Sequence, residues 1–186
     1  YKILRPLITF VFKIFVRPKF IGLENIPKKG RVILAGNHTS IFDAPLLISS
    51  TKRNVHFLAK KELWKWPKRI IFGHLGLIPV DRKSRDGNAL ITAERYLKKE
   101  KLIGIFPEGT TEKEGHMLKF KKGAVKMAVD TNSPIVPFVI TGKYRLFSKS
   151  LTIKFLEPIK CNGDIKEETE RLMTVSYTHL TLPTIR

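Results

Sequence analysis

The chain has 186 residues, of which 42% are hydrophobic, enough for one domain with a substantial core. Its 35 basic and 16 acidic residues give a net charge of +19, which calls for an anionic partner such as a membrane surface, a nucleic acid or an acidic carrier protein. A single cysteine, Cys161, excludes an intramolecular disulfide.

The chain opens at Tyr1 without a methionine, so further residues are expected upstream. Residues 1–18 are expected to form an amphipathic helix. At about 100° per residue, Lys2, Arg5, Pro6, Thr9, Lys13 and Arg17 gather on one side. Ile3, Leu4, Leu7, Ile8, Phe10, Val11, Ile14 and Phe15 occupy the other. A wide apolar arc edged by cations suits a helix lying in a bilayer interface. A crossing would need about 20 mainly apolar residues, and this segment is too short and too charged. The plainer alternative is a helix packed on the core.

Residues 19–171 are expected to form one α/β domain. Strands are expected at 19–24 and 31–36, and the second ends in the run Asn37-His-Thr-Ser-Ile-Phe-Asp43. A neutral imidazole, with an ordinary pKa of about 6.5, can take a proton from a hydroxyl near pH 7. A carboxylate five residues on can hold the ring in one tautomer and stabilise the imidazolium as it forms. No Gly-x-Ser-x-Gly elbow is present, and Cys161 lies in a distant polar segment, so the expected nucleophile is a substrate hydroxyl. Taken alone, the same residues also fit a structural reading. Asp43 would then be a helix N-cap with Pro45 in the first turn, and His38 a satisfied turn histidine.

A helix at 43–50, a strand at 55–59 and a helix at 60–72 follow. The last carries Trp64 and Trp66 among lysines, a mixture suited to the headgroup zone of a membrane and also to stacking on nucleobases. The strand at 77–81 lies within Gly76-Leu-Ile-Pro-Val-Asp-Arg82 and delivers one guanidinium, the preferred partner of a phosphate or carboxylate. A surface pairing with Asp81 or Asp86 is the plainer reading of Arg82. A helix at 87–99 leads to a buried strand at 102–106 that ends in Pro107, Glu108, Gly109 and Thr110. No lysine follows Gly109, which argues against a nucleoside triphosphate loop. A helix at 122–131, strands at 135–140 and 151–157, and a charged helix at 164–173 complete the pattern. Such alternation predicts a mostly parallel central sheet flanked by helices. Residues 172–186 change character, with no charge between Leu172 and Ile185 and a proline at 183. They are expected to be a non-native or disordered tail; the alternative is a short terminal strand.

Four blocks in order, NHTSIFD, GLIPVDR, FPEGT and Ile135-Val-Pro-Phe-Val139, resemble the PlsC-like glycerolipid acyltransferases, the 1-acylglycerol-3-phosphate acyltransferase group. The resemblance covers roughly residues 20–160. It implies that His38 is the general base and that Asp43 orients it. It assigns Asn37, Arg82, Glu108, Gly109 and Thr110 to substrate binding, at the glycerophosphate end for the last four, and links Pro137 to acyl-donor binding or to structure. Many members continue the third block with Arg-Ser, whereas this chain has Thr111 and Glu112. Lys119, Lys121 or Lys122 are expected to supply the missing cation. Glu108 would repel a phosphate directly and is expected to meet a glycerol hydroxyl or Arg82 instead.

The resemblance implies transfer of a fatty acyl group from acyl-CoA or acyl carrier protein to a lysophospholipid. The expected acceptor is 1-acylglycerol-3-phosphate, giving phosphatidic acid, with no metal or cofactor. It further implies peripheral or monotopic attachment at the cytoplasmic face of the cell membrane. Another lysolipid, or glycerol 3-phosphate, remains open as acceptor. Rival readings from other classes are a basic nucleic-acid-binding module and a non-catalytic membrane-surface protein. Neither accounts for NHTSIFD and FPEGT together, so no nucleic-acid partner is expected. Donor type, acyl length and the donors to the oxyanion are not legible in the sequence.

Overall fold

The computed structural model of the chain describes residues 3–60, 76–80, 88–110 and 118–181. Among these, seven strands form one sheet: β1 (Lys19–Ile21), β2 (Val32–Gly36), β3 (Val55–Lys60), β4 (Ile78–Val80), β5 (Leu102–Ile105), β6 (Ile135–Thr141) and β7 (Thr152–Phe155). Their order is β1-β7-β6-β2-β5-β3-β4. From β6 through β4 the strands are parallel; β7 pairs antiparallel with β6, and β1 runs parallel to β7. The expected mostly parallel sheet is therefore observed, with a reversed pair at one edge.

Helices α1 (Leu4–Val11) and α2 (Asp43–Ser50) belong to one face of the sheet, and α3 (Asn88–Lys98), α4 (Gly123–Thr131) and α5 (Ile165–Thr181) to the other. β2 shows why. Val32 and Leu34 enter the core beneath α2, while Ile33 and Ala35 enter the core beneath α4. A strand covered on both faces must be apolar at every position, which is why this segment reads as an unbroken hydrophobic run. The same holds for β6, buried from Ile135 to Ile140.

The expected N-terminal helix is present, but its α-helical geometry covers only part of it. After Val11 it loosens into a π-helical turn, Phe12–Val16, and Arg17 ends it in the left-handed region at φ 52°. Pro6 is tolerated because it sits in the first turn, where its missing N–H has no intrahelical acceptor. The apolar arc also divides. Ile8, Phe12 and Val16 pack on the core, whereas Ile3, Leu7, Phe10 and Ile14 are exposed. Core packing and an outward apolar face coexist on one helix.

The expected boundary at Leu172 is corrected. α5 runs on to Thr181, and Leu172 and Ser176 are buried. The absence of charge does not end a helix whose inward positions recur at helical spacing. Hydroxyls that would compete with the backbone instead bond one turn back: Thr174 to Glu170, Ser176 to Leu172 and Thr178 to Thr174. Asp164 begins the helix, its carboxylate accepting from the amides of Lys166 and Glu167. Residues 182–186, the segment 61–72 with Trp64 and Trp66, and Arg82 and Thr111 lie outside the described residues.

Candidate active site

β2 and β5 are adjacent and parallel, so the Asn37–Asp43 segment and the Pro107–Thr110 segment leave the sheet at the same carboxyl edge. Open parallel sheets place their ligands there. β4 reaches that edge too, at Val80, two residues before Arg82.

His38 and Asp43 meet. The ring Nδ1 lies 2.9 Å from Asp43 Oδ2, with His38 about one-fifth exposed at 20% and Asp43 at 0%. The same oxygen accepts from the amides of Thr39 at 2.6 Å and Ser40 at 2.8 Å. An oxygen already accepting two amides also accepts the Nδ1 proton, which leaves the lone pair on Nε2. Oδ1 accepts from the Tyr144 hydroxyl at 2.6 Å and from Thr39 Oγ1 at 3.3 Å. A carboxylate removed from water is costly unless its lone pairs are engaged, and here five donors engage them.

These bonds decide against the N-cap reading of Asp43. The residue is the first of α2, and its carboxylate turns back onto the loop at 39–40 instead of forward onto the helix amides. Carboxylates in a first helical turn are favoured by the helix dipole, which adds to the loop bonds.

Two participants had no assigned role in the sequence reading. Phe106, at the end of β5, stacks under the His38 ring with centroids 4.1 Å apart and planes 15° apart. It forms an apolar shelf that fixes the ring's tilt. Tyr144 follows β6, the other neighbour of β2. Burial, then the negative charge of Asp43 and the hydrogen bond to it, push this phenol far above its usual pKa, so it remains a donor. The tyrosine stands outside all four blocks and about 100 residues from its partner. Only the pairing of β6 with β2 could have pointed to it.

The expected binding residues are distributed as follows. Asn37 is buried, and its amide is committed to the backbone of β6: Nδ2 donates to the Ile140 carbonyl at 2.9 Å, and Oδ1 accepts from the Ile140 amide at 2.8 Å. Asn37 thus fixes the strand end from which His38 projects, in place of the expected substrate contact. Glu108 is buried, and its Oε2 lies 3.4 Å from the His38 amide that donates to it. Lys121 reaches back to the third block. Its amide donates to Pro107 at 2.9 Å, and a Cβ built on Gly109 would stand 2.6 Å from its Nζ. Lys121 therefore places a positive charge beside Gly109, while Thr110 and Lys119 are exposed nearby in sequence. Pro137 is buried in β6, in register with Ala35, where it serves the sheet.

This arrangement can withdraw a proton at His38 Nε2, return it there, and hold an anion near Lys121. The profile of the family described as Acyltransferase matches residues 17–141. A 1-acyl-sn-glycerol-3-phosphate acyltransferase of Borreliella burgdorferi is 36% identical over 133 residues, covering 70% of this chain and 53% of its own length. One of Cocos nucifera is 33% identical, covering 74% of this chain and 48% of its own. The crystal structure of the 1-acyl-sn-glycerophosphate (LPA) acyltransferase PlsC from Thermotoga maritima superposes with a TM-score of 0.77 at 28% identity, covering 96% of this chain and 76% of that one. The chain spans about half the length of these two curated relatives. It belongs to the acyltransferase family.

Proposed function

We propose that the protein transfers a fatty acyl group from a thioester to the free hydroxyl of 1-acylglycerol-3-phosphate, yielding phosphatidic acid. The observation that supports this most is the buried Asp43 carboxylate 2.9 Å from His38 Nδ1, which leaves Nε2 as the proton acceptor. Nε2 takes the hydroxyl proton as the oxygen attacks the thioester carbonyl. The tetrahedral intermediate collapses with cleavage of the C–S bond, and the imidazolium returns its proton to the departing thiolate. The products are an ester and a thiol. Donors in the role are acyl-CoA and acyl carrier protein, which present the same phosphopantetheine thioester.

The acceptor phosphate is held in this reading by Lys121 beside Gly109 and by Arg82, with Glu108 serving the glycerol hydroxyl or the turn that carries His38. The outward face of α1 rests in an anionic membrane surface, giving peripheral attachment. Among the described residues no helix is long and apolar enough to cross a membrane.

The test is turnover of purified protein with acyl-CoA and acyl carrier protein thioesters and a panel of lysolipids, read by lipid mass spectrometry. His38→Ala should lower turnover by about 10²–10⁴-fold, the range of general-base catalysis, with folding unchanged. A folded His38→Ala protein that turns over like wild type would overturn the mechanism.

A further inference from the structure

Beyond α1, a second apolar surface is presented by the loop at 142–150, between β6 and β7. Leu146 is 69% exposed and Phe147 62% exposed. Three cations flank them, Lys143, Arg145 and Lys149, all exposed, and this stretch holds no acidic residue. Single exposed apolar residues are ordinary, but this pair continues other exposed apolar surface. The Phe147 ring lies 5.6 Å from that of Phe15, and the Phe147 amide donates to the Phe15 carbonyl at 2.5 Å. Phe15 follows the outward residues of the N-terminal helical segment, Ile3, Leu7, Phe10 and Ile14. In the other direction Tyr144 touches Phe42, with ring centroids 5.8 Å apart, and Phe42 and Ile41 are exposed beside His38.

The loop is built to hold its tip outward. Its neck is closed so tightly at Gly142 that a Cβ there would stand 1.8 Å from the Ser150 carbonyl oxygen. Ser150 Oγ donates to the Lys143 carbonyl at 2.9 Å, and the Ser150 amide donates to Ser148 Oγ at 3.2 Å. Phe147 occupies the left-handed region at φ 56°, where glycine would be free of strain. A bulky aromatic kept exposed at such a position points to a use for its side chain outside the fold.

We propose that this loop is a second membrane-docking element, with Leu146 and Phe147 entering an anionic lipid surface beside α1 while Lys143, Arg145 and Lys149 lie at headgroup level. The inference rests on the membrane reading of α1 given above. Aromatic and aliphatic side chains rimmed by Lys and Arg match the chemistry of an interface of acidic lipids. The loop joins that surface to the dyad over a short span, because Tyr144, two residues before Leu146, donates to Asp43. Docking would therefore seat His38 and its partly exposed ring against the layer that holds a lysolipid.

The experiment is co-sedimentation with vesicles of phosphatidylcholine alone and of phosphatidylcholine with phosphatidylglycerol, at low and high salt. Wild type is compared with Leu146→Ser/Phe147→Gly, with Lys143→Gln/Arg145→Gln/Lys149→Gln and with Leu7→Ser/Phe10→Ser in α1. The Leu146/Phe147 variant should bind about tenfold more weakly or worse at both salt concentrations. Its thermal midpoint should hold, since glycine relieves the left-handed backbone. The triple Gln variant should lose on the order of a hundredfold on acidic vesicles at low salt and little on neutral ones. Wild-type binding by both loop variants, with loss only in the α1 variant, would overturn the loop proposal and keep the α1 reading. Failure of wild type to bind acidic vesicles would overturn both. Unchanged vesicle binding with lost self-association in the Leu146/Phe147 variant would reassign the patch to a second copy of this chain.

Discussion

Tyr144→Phe isolates one bond of the buried carboxylate and leaves the rest of the site standing. The ring keeps its contact with Phe42, so no cavity opens, and only the 2.6 Å donation to Asp43 Oδ1 is removed. That oxygen is left with Thr39 Oγ1 at 3.3 Å, inside a residue with no exposure. A hydrogen bond to a charged group contributes about 1.5–3 kcal/mol, and the absence of solvent at Asp43 argues for the upper part of that range. In a domain of this size the full range corresponds to a thermal shift of about 3–12 °C. Catalysis should suffer less. The bonds that set the His38 geometry all end on Oδ2, from the ring and from the amides of Thr39 and Ser40, and they are untouched. Turnover should fall by about tenfold or less, against the 10²–10⁴-fold expected for loss of the base. Urea unfolding and kcat between pH 5 and 9, measured on the same preparations, check both statements. An unchanged unfolding midpoint would show that the bond carries nothing. A loss of kcat as large as that of Asp43→Asn, with stability intact, would mean that Tyr144 acts on substrate instead of holding Asp43.

Three further outcomes follow from the same structure. Lys121→Ala should raise KM for a phosphorylated acceptor by about tenfold, the effect of one charge-assisted bond, and leave KM for the thioester unchanged; steady-state kinetics with each substrate varied in turn decides it. His56 is held neutral, its pKa lowered by burial and then by Lys101 against the opposing carbonyl of Gly76. The unfolded chain takes up a proton below about pH 6.5 that the native ring refuses. Wild-type stability should therefore fall between pH 7.5 and 5 more steeply than that of His56→Gln, as read from urea midpoints at the two pH values. Gly36→Ala should destabilise by about 1–3 kcal/mol or more and abolish turnover, because the added Cβ would stand 2.2 Å from the Phe138 carbonyl oxygen and must push β2 off β6 just before His38. Circular dichroism melts together with the turnover assay test it.

How much of this was legible in the sequence depended on whether a contact was local. α2 begins and ends where the sequence placed it, at Asp43 and Ser50, because its pattern and its capping region lie within a few residues. The closeness of His38 and Asp43 was legible for the same reason: five residues and one turn bring them together. Their engagement by Tyr144 was not, since it depends on β6 lying beside β2, a choice made by sheet topology. Asn37 shows the converse. The resemblance placed it among the substrate-binding residues, and only the fold shows that its amide, beside the partner strand, meets two backbone atoms of Ile140. The α5 boundary was misplaced because loss of charge was taken as loss of structure, although Leu172 and Ser176 continue the buried stripe.

The N-terminal helix carries this reasoning one step further. An apolar arc too wide for one contact had two readings from sequence, core packing or membrane, framed as alternatives. The structure gives Ile8, Phe12 and Val16 to the core and leaves Ile3, Leu7, Phe10 and Ile14 outside, so the arc is wide enough to pack on the core and still offer the outward face used in the membrane proposal above. Arg5 clarifies the division. Its Nε donates to the Thr51 carbonyl at 2.7 Å, so a cation grouped by the sequence with the polar side of the helix ties α1 to the end of α2. α2 begins at Asp43, and the segment that anchors α1 is therefore the one that carries the dyad's carboxylate. If the outer face of α1 rests on a lipid surface as proposed, the load would be borne by the layer that holds Asp43 in place, which couples the proposed membrane contact to the dyad through Arg5 and α2.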